Sequence, residues 1–131
     1  MSDARSEIAG LLKAVESAAR AGTNAKQLVE LLYDESLVAV VEGADRATHG
    51  INEFLPRLEQ TLREWGPRPD VSLELCEPVL SCESLVVSFV NASIRPDFPS
   101  AEVQRLRAML AFRRSNRGWR LVLEMYAVGV V

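Results

Sequence analysis

The chain has 131 residues, is 48% hydrophobic and 25% charged, and carries 15 cationic against 18 acidic side chains, a net charge of −3. That length describes a single domain spanning 1–131, with enough chain for one apolar core and a composition unlike that of disordered segments. The small negative charge gives no general field for nucleic acid or an anionic membrane, and no apolar run approaches the length that crosses a bilayer.

Helical periodicity comes first. Ile8, Leu11, Leu12, Val15, Ala18 and Ala19 recur at three- and four-residue spacing and predict a helix that ends at Gly22. Thr23 is the expected N-cap of a shorter second helix whose buried stripe is Leu28, Leu31 and Leu32. Leu37 to Val41 is β-rich, so a short strand is expected over 36–41. After the polar turn Glu42-Gly-Ala-Asp-Arg-Ala-Thr-His-Gly50, a third helix is predicted from Ile51 to Trp65. It has Phe54, Leu55, Leu58 and Leu62 on one side, and Pro56 is expected to bend it or trim its first turn.

Beyond Gly66-Pro67-Arg68-Pro69 the helical spacing ends and four strands are predicted, over about 71–80, 84–95, 102–114 and 119–130. Helices followed by a meander indicate an α+β domain with its helices on one face of the sheet. In the last hairpin a two-residue loop at Asn116-Arg117 pairs Ser115 with Gly118. Leu106, Ala108, Leu110 and Phe112 then share an inward face with Trp119, Leu121, Leu123 and Met125. A one-residue slip would carry Arg120 and Glu124 into that apolar layer, at the cost of burying charge. The outward face accordingly holds Met109, Ala111, Val122, Glu124 and Tyr126, flanked by arginines, and reads as a dimer interface. In the preceding hairpin Val71, Leu73, Leu75 and Val79 are expected inward with Leu85, Val87 and Phe89, bringing Glu77 and Asn91 with them. Pro78 is the residue that would bulge the strand and redirect Glu77.

Several segments together resemble the nuclear transport factor 2-like superfamily, and within it the SnoaL-like group. They are Ala21-Gly22-Thr23 between two helices, Leu32-Tyr33-Asp34-Glu35-Ser36 entering a short strand, and His49-Gly50-Ile51 opening the third helix. The last is Phe112-Arg-Arg-Ser-Asn-Arg-Gly118-Trp119-Arg-Leu-Val, an arginine-bearing strand, a polar turn and Gly-Trp-Arg. The resemblance implies a cystatin-like α+β barrel, a cone-shaped curved antiparallel sheet wrapped around the long third helix. It also implies a hydrophobic pocket at the open end and a homodimer through the outer sheet face. The superfamily includes isomerases, cyclases, dehydratases and hydrolases as well as domains that catalyse nothing, so fold does not select function. The ketosteroid isomerase pattern of a carboxylate base with tyrosine and aspartic acid donors does not carry over. Glu42 falls near the base, but the donor positions hold Val15 and Leu110. The two histidines common near the end of the last strand correspond to Leu123 and Met125.

Glu42 and His49 are the candidate catalytic residues, as general base and as proton-transfer group. Against these readings stand a solvated carboxylate leaving a strand and a surface or capping histidine. Tyr33, Glu42, His49, Trp65, Glu77 and Asn91 form the candidate ligand-binding set, with core packing the rival role for Tyr33 and Trp65. The sheet's wet end is the rival place for Glu77. One histidine and two cysteines at no ligand spacing give no metal site, and no phosphate loop or cofactor motif is present. Seven of the thirteen arginines lie between Arg95 and Arg120, but they alternate with large apolar residues, which favours dimer-rim ion pairs over nucleic acid. The expectation is a cytoplasmic homodimer that binds a small hydrophobic ligand, with no catalysis assigned. An isomerase, cyclase, dehydratase or hydrolase working by acid–base chemistry, and a non-catalytic dimerisation or assembly module, are the alternatives.

Overall fold

The computed structural model describes residues 3–131. Three helices, α1 (Ala4–Arg20), α2 (Ala25–Leu32) and α3 (Ile51–Trp65), accompany six strands. The strands are β1 (Tyr33–Val41), β2 (Thr48–His49), β3 (Asp70–Cys82), β4 (Leu85–Arg95), β5 (Gln104–Ser115) and β6 (Gly118–Val128). They form one sheet in the order β2-β1-β6-β5-β4-β3. The four long strands are the expected antiparallel meander, and β1 joins β6 in parallel. No helix among the described residues is long and apolar enough to cross a membrane.

Local chemistry explains the helix boundaries. Asp3 caps α1 by accepting from the Ser6 N–H at 2.7 Å. The second cap is Asn24 rather than Thr23, because Asn24 and Gln27 form a reciprocal capping box. Helix α3 runs through Pro56 as one element and keeps its first turn. It closes at Gly66, whose φ of 85° suits glycine, and an added Cβ there would lie 3.0 Å from the Asp97 carbonyl oxygen. That contact, with the Asp97 N–H donating to the Trp65 carbonyl at 2.6 Å, ties the end of α3 to the β4–β5 loop.

Helix α1 lies along β3, the free edge of the sheet, and satisfies part of that edge with side chains. Glu16 accepts from the Leu73 N–H at 2.6 Å, and Arg20 donates to the Val71 carbonyl at 2.9 Å and pairs with Asp70 at 3.0 Å. An edge covered in this way offers few groups to another strand.

The core lies between the helices and the sheet's inner face. Ile8 and Leu12 from α1, Leu32 from α2 and Phe54 from α3 meet Val86, Val90, Ala108, Leu110, Phe112 and Leu121 from the strands. The β4 side chains in this layer are Val86, Ser88, Val90, Ala92 and Ile94, all buried, which places Leu85, Val87, Phe89 and Asn91 outside. The expected phase of β4 is thus off by one residue. The turn is the reason: it closes over Glu83-Ser84 and pairs Cys82 with Leu85, whereas strands over 71–80 and 84–95 leave a three-residue turn at 81–83.

A second irregularity reshapes β6. Phe112 pairs with Leu121, but Ala111 pairs with Leu123, so Val122 is an extra residue and everything after it changes face. Leu123 and Met125, expected inside, lie outside, whereas Glu124 and Tyr126, expected on an outer dimer face, point inward opposite Leu110 and Ala108. Outside, two apolar rows cross five strands in register: Val38–Leu123–Ala111–Val87–Leu80 and Val40–Met125–Met109–Phe89–Cys76.

Candidate functional site

A cavity of about 280 Å³ opens between α3 and the inner face of the sheet. Helix α3 contributes Phe54, Arg57, Leu58, Thr61, Leu62 and Trp65, the face set by its three- and four-residue apolar spacing. The opposite wall is aliphatic, including Val71, Leu73, Val90, Ala92, Ile94, Ala108 and Leu110. Val15 and Leu110, where the ketosteroid isomerase donors would stand, are both in the lining.

One buried carboxylate breaks this apolar wall. Glu124 is only 3% exposed, lies in the lining, and is placed there by the Val122 bulge. Removal from water disfavours its charge and pushes its pKa up to about 7, although hydrogen bonding by Tyr126 and Tyr33 acts in the opposite direction. Both phenols are pushed well above the usual tyrosine range by burial and by the neighbouring carboxylate, so they remain neutral donors. Tyr126 follows Glu124 by two residues on the same face of β6. Tyr33 arrives from the first position of β1, paired with Leu121, and its ring packs on Phe54 with centroids 4.7 Å apart. Glu124 Oε2 nevertheless has no hydrogen-bond partner. A buried carboxyl with an open oxygen, at a pKa near neutrality and beside two phenols, has the groups needed to exchange a proton or to hold a polar ligand head.

The sequence-predicted residues divide between cavity and surface. Tyr33, Trp65 and Glu42 are in the lining. Glu42 is exposed at the mouth, and its Oε2 accepts from the Val128 N–H at 2.7 Å while its own N–H donates to the Tyr126 carbonyl at 2.9 Å. It therefore clasps the ends of β1 and β6 together. His49 lies outside the lining. It is exposed and pairs with Val38, whereas its neighbour Thr48 is buried and faces the cavity. Strand alternation puts Thr48 and His49 on opposite sides. Glu77, expected inward in the ligand-binding set, sits in the β3 irregularity beside Pro78, exposed, outside the lining and paired with Arg5 at 2.6 Å. Asn91 is on the outer face, where its Oδ1 accepts from the Val131 N–H at 2.7 Å. Of the expected interface residues, Met109 and Ala111 face outward, Val122 forms the bulge, and Glu124 and Tyr126 face the cavity.

Sequence reasoning missed the role of Glu124 and Tyr126 because alternation was continued through β6 without a break. The available signal was a lone carboxylate two residues before a tyrosine in the apolar run Leu121-Val-Leu-Glu-Met-Tyr-Ala-Val128.

No protein-family model matches the sequence, and no curated protein matches it. Solved structures do. A nuclear transport factor 2-like protein of unknown function from Pseudomonas putida KT2440 is similar over 93% of this chain and 84% of its own, at TM-score 0.73 and 19% identity. A nuclear transport factor 2-like protein with a cystatin-like fold from Novosphingobium aromaticivorans matches 95% of this chain and 80% of its own, at TM-score 0.71 and 22% identity. A candidate dehydratase of the nuclear transport factor 2-like family from Streptomyces avermitilis matches 95% and 94%, at TM-score 0.74 and 16% identity. At such identities the likeness is one of fold, and the chain has the nuclear transport factor 2-like, cystatin-like fold that its motifs resemble.

Proposed function

We propose that this chain is a homodimeric, cytoplasmic binding domain of the SnoaL-like kind that takes a small hydrophobic molecule into the cavity under α3. The reading is carried by one observation, an apolar cavity of about 280 Å³ whose wall includes a single buried, incompletely hydrogen-bonded carboxylate. A cavity that served only for packing would be better filled by a leucine at position 124, since burying the carboxylate is costly. A thermal-shift screen of hydrophobic metabolites is the test. A ligand at a hundred times its Kd adds roughly 2.7 kcal/mol to stability. If no member of a broad library moves the melting temperature, the binding reading is lost.

The two apolar rows on the outer face support a second copy as the partner, because a belt of that extent on a free monomer would be exposed to water. Phe89→Glu and Met125→Arg, placed in the belt, are expected to convert the dimer to monomer in sedimentation measurements. A wild-type chain that is monomeric at high concentration would remove the dimer.

A catalytic reading is favoured by the Glu124 carboxyl, whose pKa of about 7 suits a general acid or base, with two neutral phenols beside it. Isomerisation or dehydration of a hydrophobic metabolite fits such a group. The signature would be a rate that depends on a group of pKa near 7 and is abolished in Glu124→Gln.

A further inference from the structure

The buried carboxyl of Glu124 presents an open acceptor to the cavity. Tyr33 and Tyr126 both favour the ionised Glu124 carboxylate, and Glu124 Oε2 is a buried acceptor without a donor. A ligand group that meets this carboxylate must therefore bring N–H or O–H donors. An ammonium has donors only, and against the Glu124 carboxylate it adds a charge attraction that a hydroxyl lacks. A carboxylate or phosphate would set like charge against Glu124. The aromatic surroundings point the same way, since Tyr33, Phe54 and Tyr126 all line the cavity and present ring surface that attracts a cation. Resting on the reading that the cavity binds a small hydrophobic molecule, we propose that its ligand is a compact hydrophobic amine, with the ammonium against Glu124 and the hydrocarbon body along α3.

Such binding requires the ionised form of Glu124. Tyr126 on β6 and Tyr33 on β1 are the titratable groups that act on it. Glu42, just after β1, and Arg57 on α3 line the same cavity. Because burial holds the Glu124 pKa at about 7, amine affinity falls with acidification in a pH range where an aliphatic amine stays fully charged.

The experiment is calorimetric titration with three probes sharing one body: 2-phenylethylamine, 2-phenylethanol and 3-phenylpropionate, each between pH 6 and pH 8.5. The amine is expected to bind most tightly at pH 8 and to lose about tenfold in affinity by pH 6, as protonation of a group of pKa near 7 requires. The alcohol is expected to bind more weakly with a flat profile, and the acid not to bind at pH 8. Glu124→Gln, its fold checked by a cooperative melting transition, is expected to lose the amine's preference over the alcohol and its pH dependence. Equal affinity for amine and alcohol, a flat amine profile, or an amine preference that survives Glu124→Gln overturns the proposal while leaving the hydrophobic-cavity reading standing. Failure of all three probes overturns both.

Discussion

The two faces of the sheet depart from simple burial in opposite senses. The inner face, expected uniformly apolar, holds a buried carboxylate beside two phenols. The outer face, expected to have an apolar centre flanked by arginines, holds two apolar rows across five strands. A polar group where only packing is needed, and apolar groups where water is the neighbour, each work against stability of the isolated chain. The proposed ligand inside and the proposed second copy outside would account for both contrasts.

The comparison can be tested by substitution, beginning where the effect is largest. Phe112 is fully buried on the inner face, and Phe112→Ala should cost about 3–5 kcal/mol in urea unfolding, whatever the state of assembly. Met109→Ala, on the outer face, should cost less than that in the monomer. If the two losses are equal under monomeric conditions, the outer belt belongs to the core and the distinction between faces fails.

Next in size is the pH dependence. The folded-state pKa of Glu124 is raised to about 7 from 4.5, so the folded chain holds this proton more tightly than the unfolded one. Its favourable contribution is complete below about pH 4.5 and is lost as pH rises through about 7. The difference amounts to about 3 kcal/mol, at 1.36 kcal/mol per pKa unit. Subtracting the stability curve of Glu124→Gln from that of wild type isolates this contribution, and the difference curve should fall with rising pH across that window. A flat difference curve would mean that Glu124 is solvated rather than buried. Tyr33→Phe and Tyr126→Phe remove donors that favour the ionised carboxylate, so each should move its titration, followed by carboxyl NMR, to higher pH. The smallest effect belongs to the surface. Arg5 and Glu77 are both more than half exposed, and Arg5→Ala should cost less than about 1 kcal/mol.

Particular residues show where the fold could be read from the chain. The stripes at Ile8–Ala19 and Phe54–Leu62 set α1 and α3, and the Ser115–Gly118 turn set the last hairpin with its pairing. The first half of β6 follows from that turn, as Phe112 opposite Leu121 shows. Tyr33, Trp65 and Glu42 fell at the cavity because they sit at the ends of elements whose positions were clear. Asn91 and Glu124 were misplaced for a common reason: each lies on a strand, where an error of one residue exchanges the faces. His49 was expected in a turn, and the structure instead puts it in the two-residue strand β2, on the side away from the cavity.

The sequence by itself determined the element order, the helix faces and the meander, because these depend on periodicities and turns that are local. Only the tertiary structure decided which strand side chains look into the cavity, because a single extra residue at Val122 reverses the alternation in β6 and the position of the β3–β4 turn sets the phase of β4. Whether a strand accommodates such a residue is settled by the partner strands on both sides and by the curvature the sheet needs around α3. The energetic objection to an inward Glu124 was sound as a cost, but the cost is borne through a shifted pKa and two phenols brought from β1 and β6, a juxtaposition that forms only when the sheet closes.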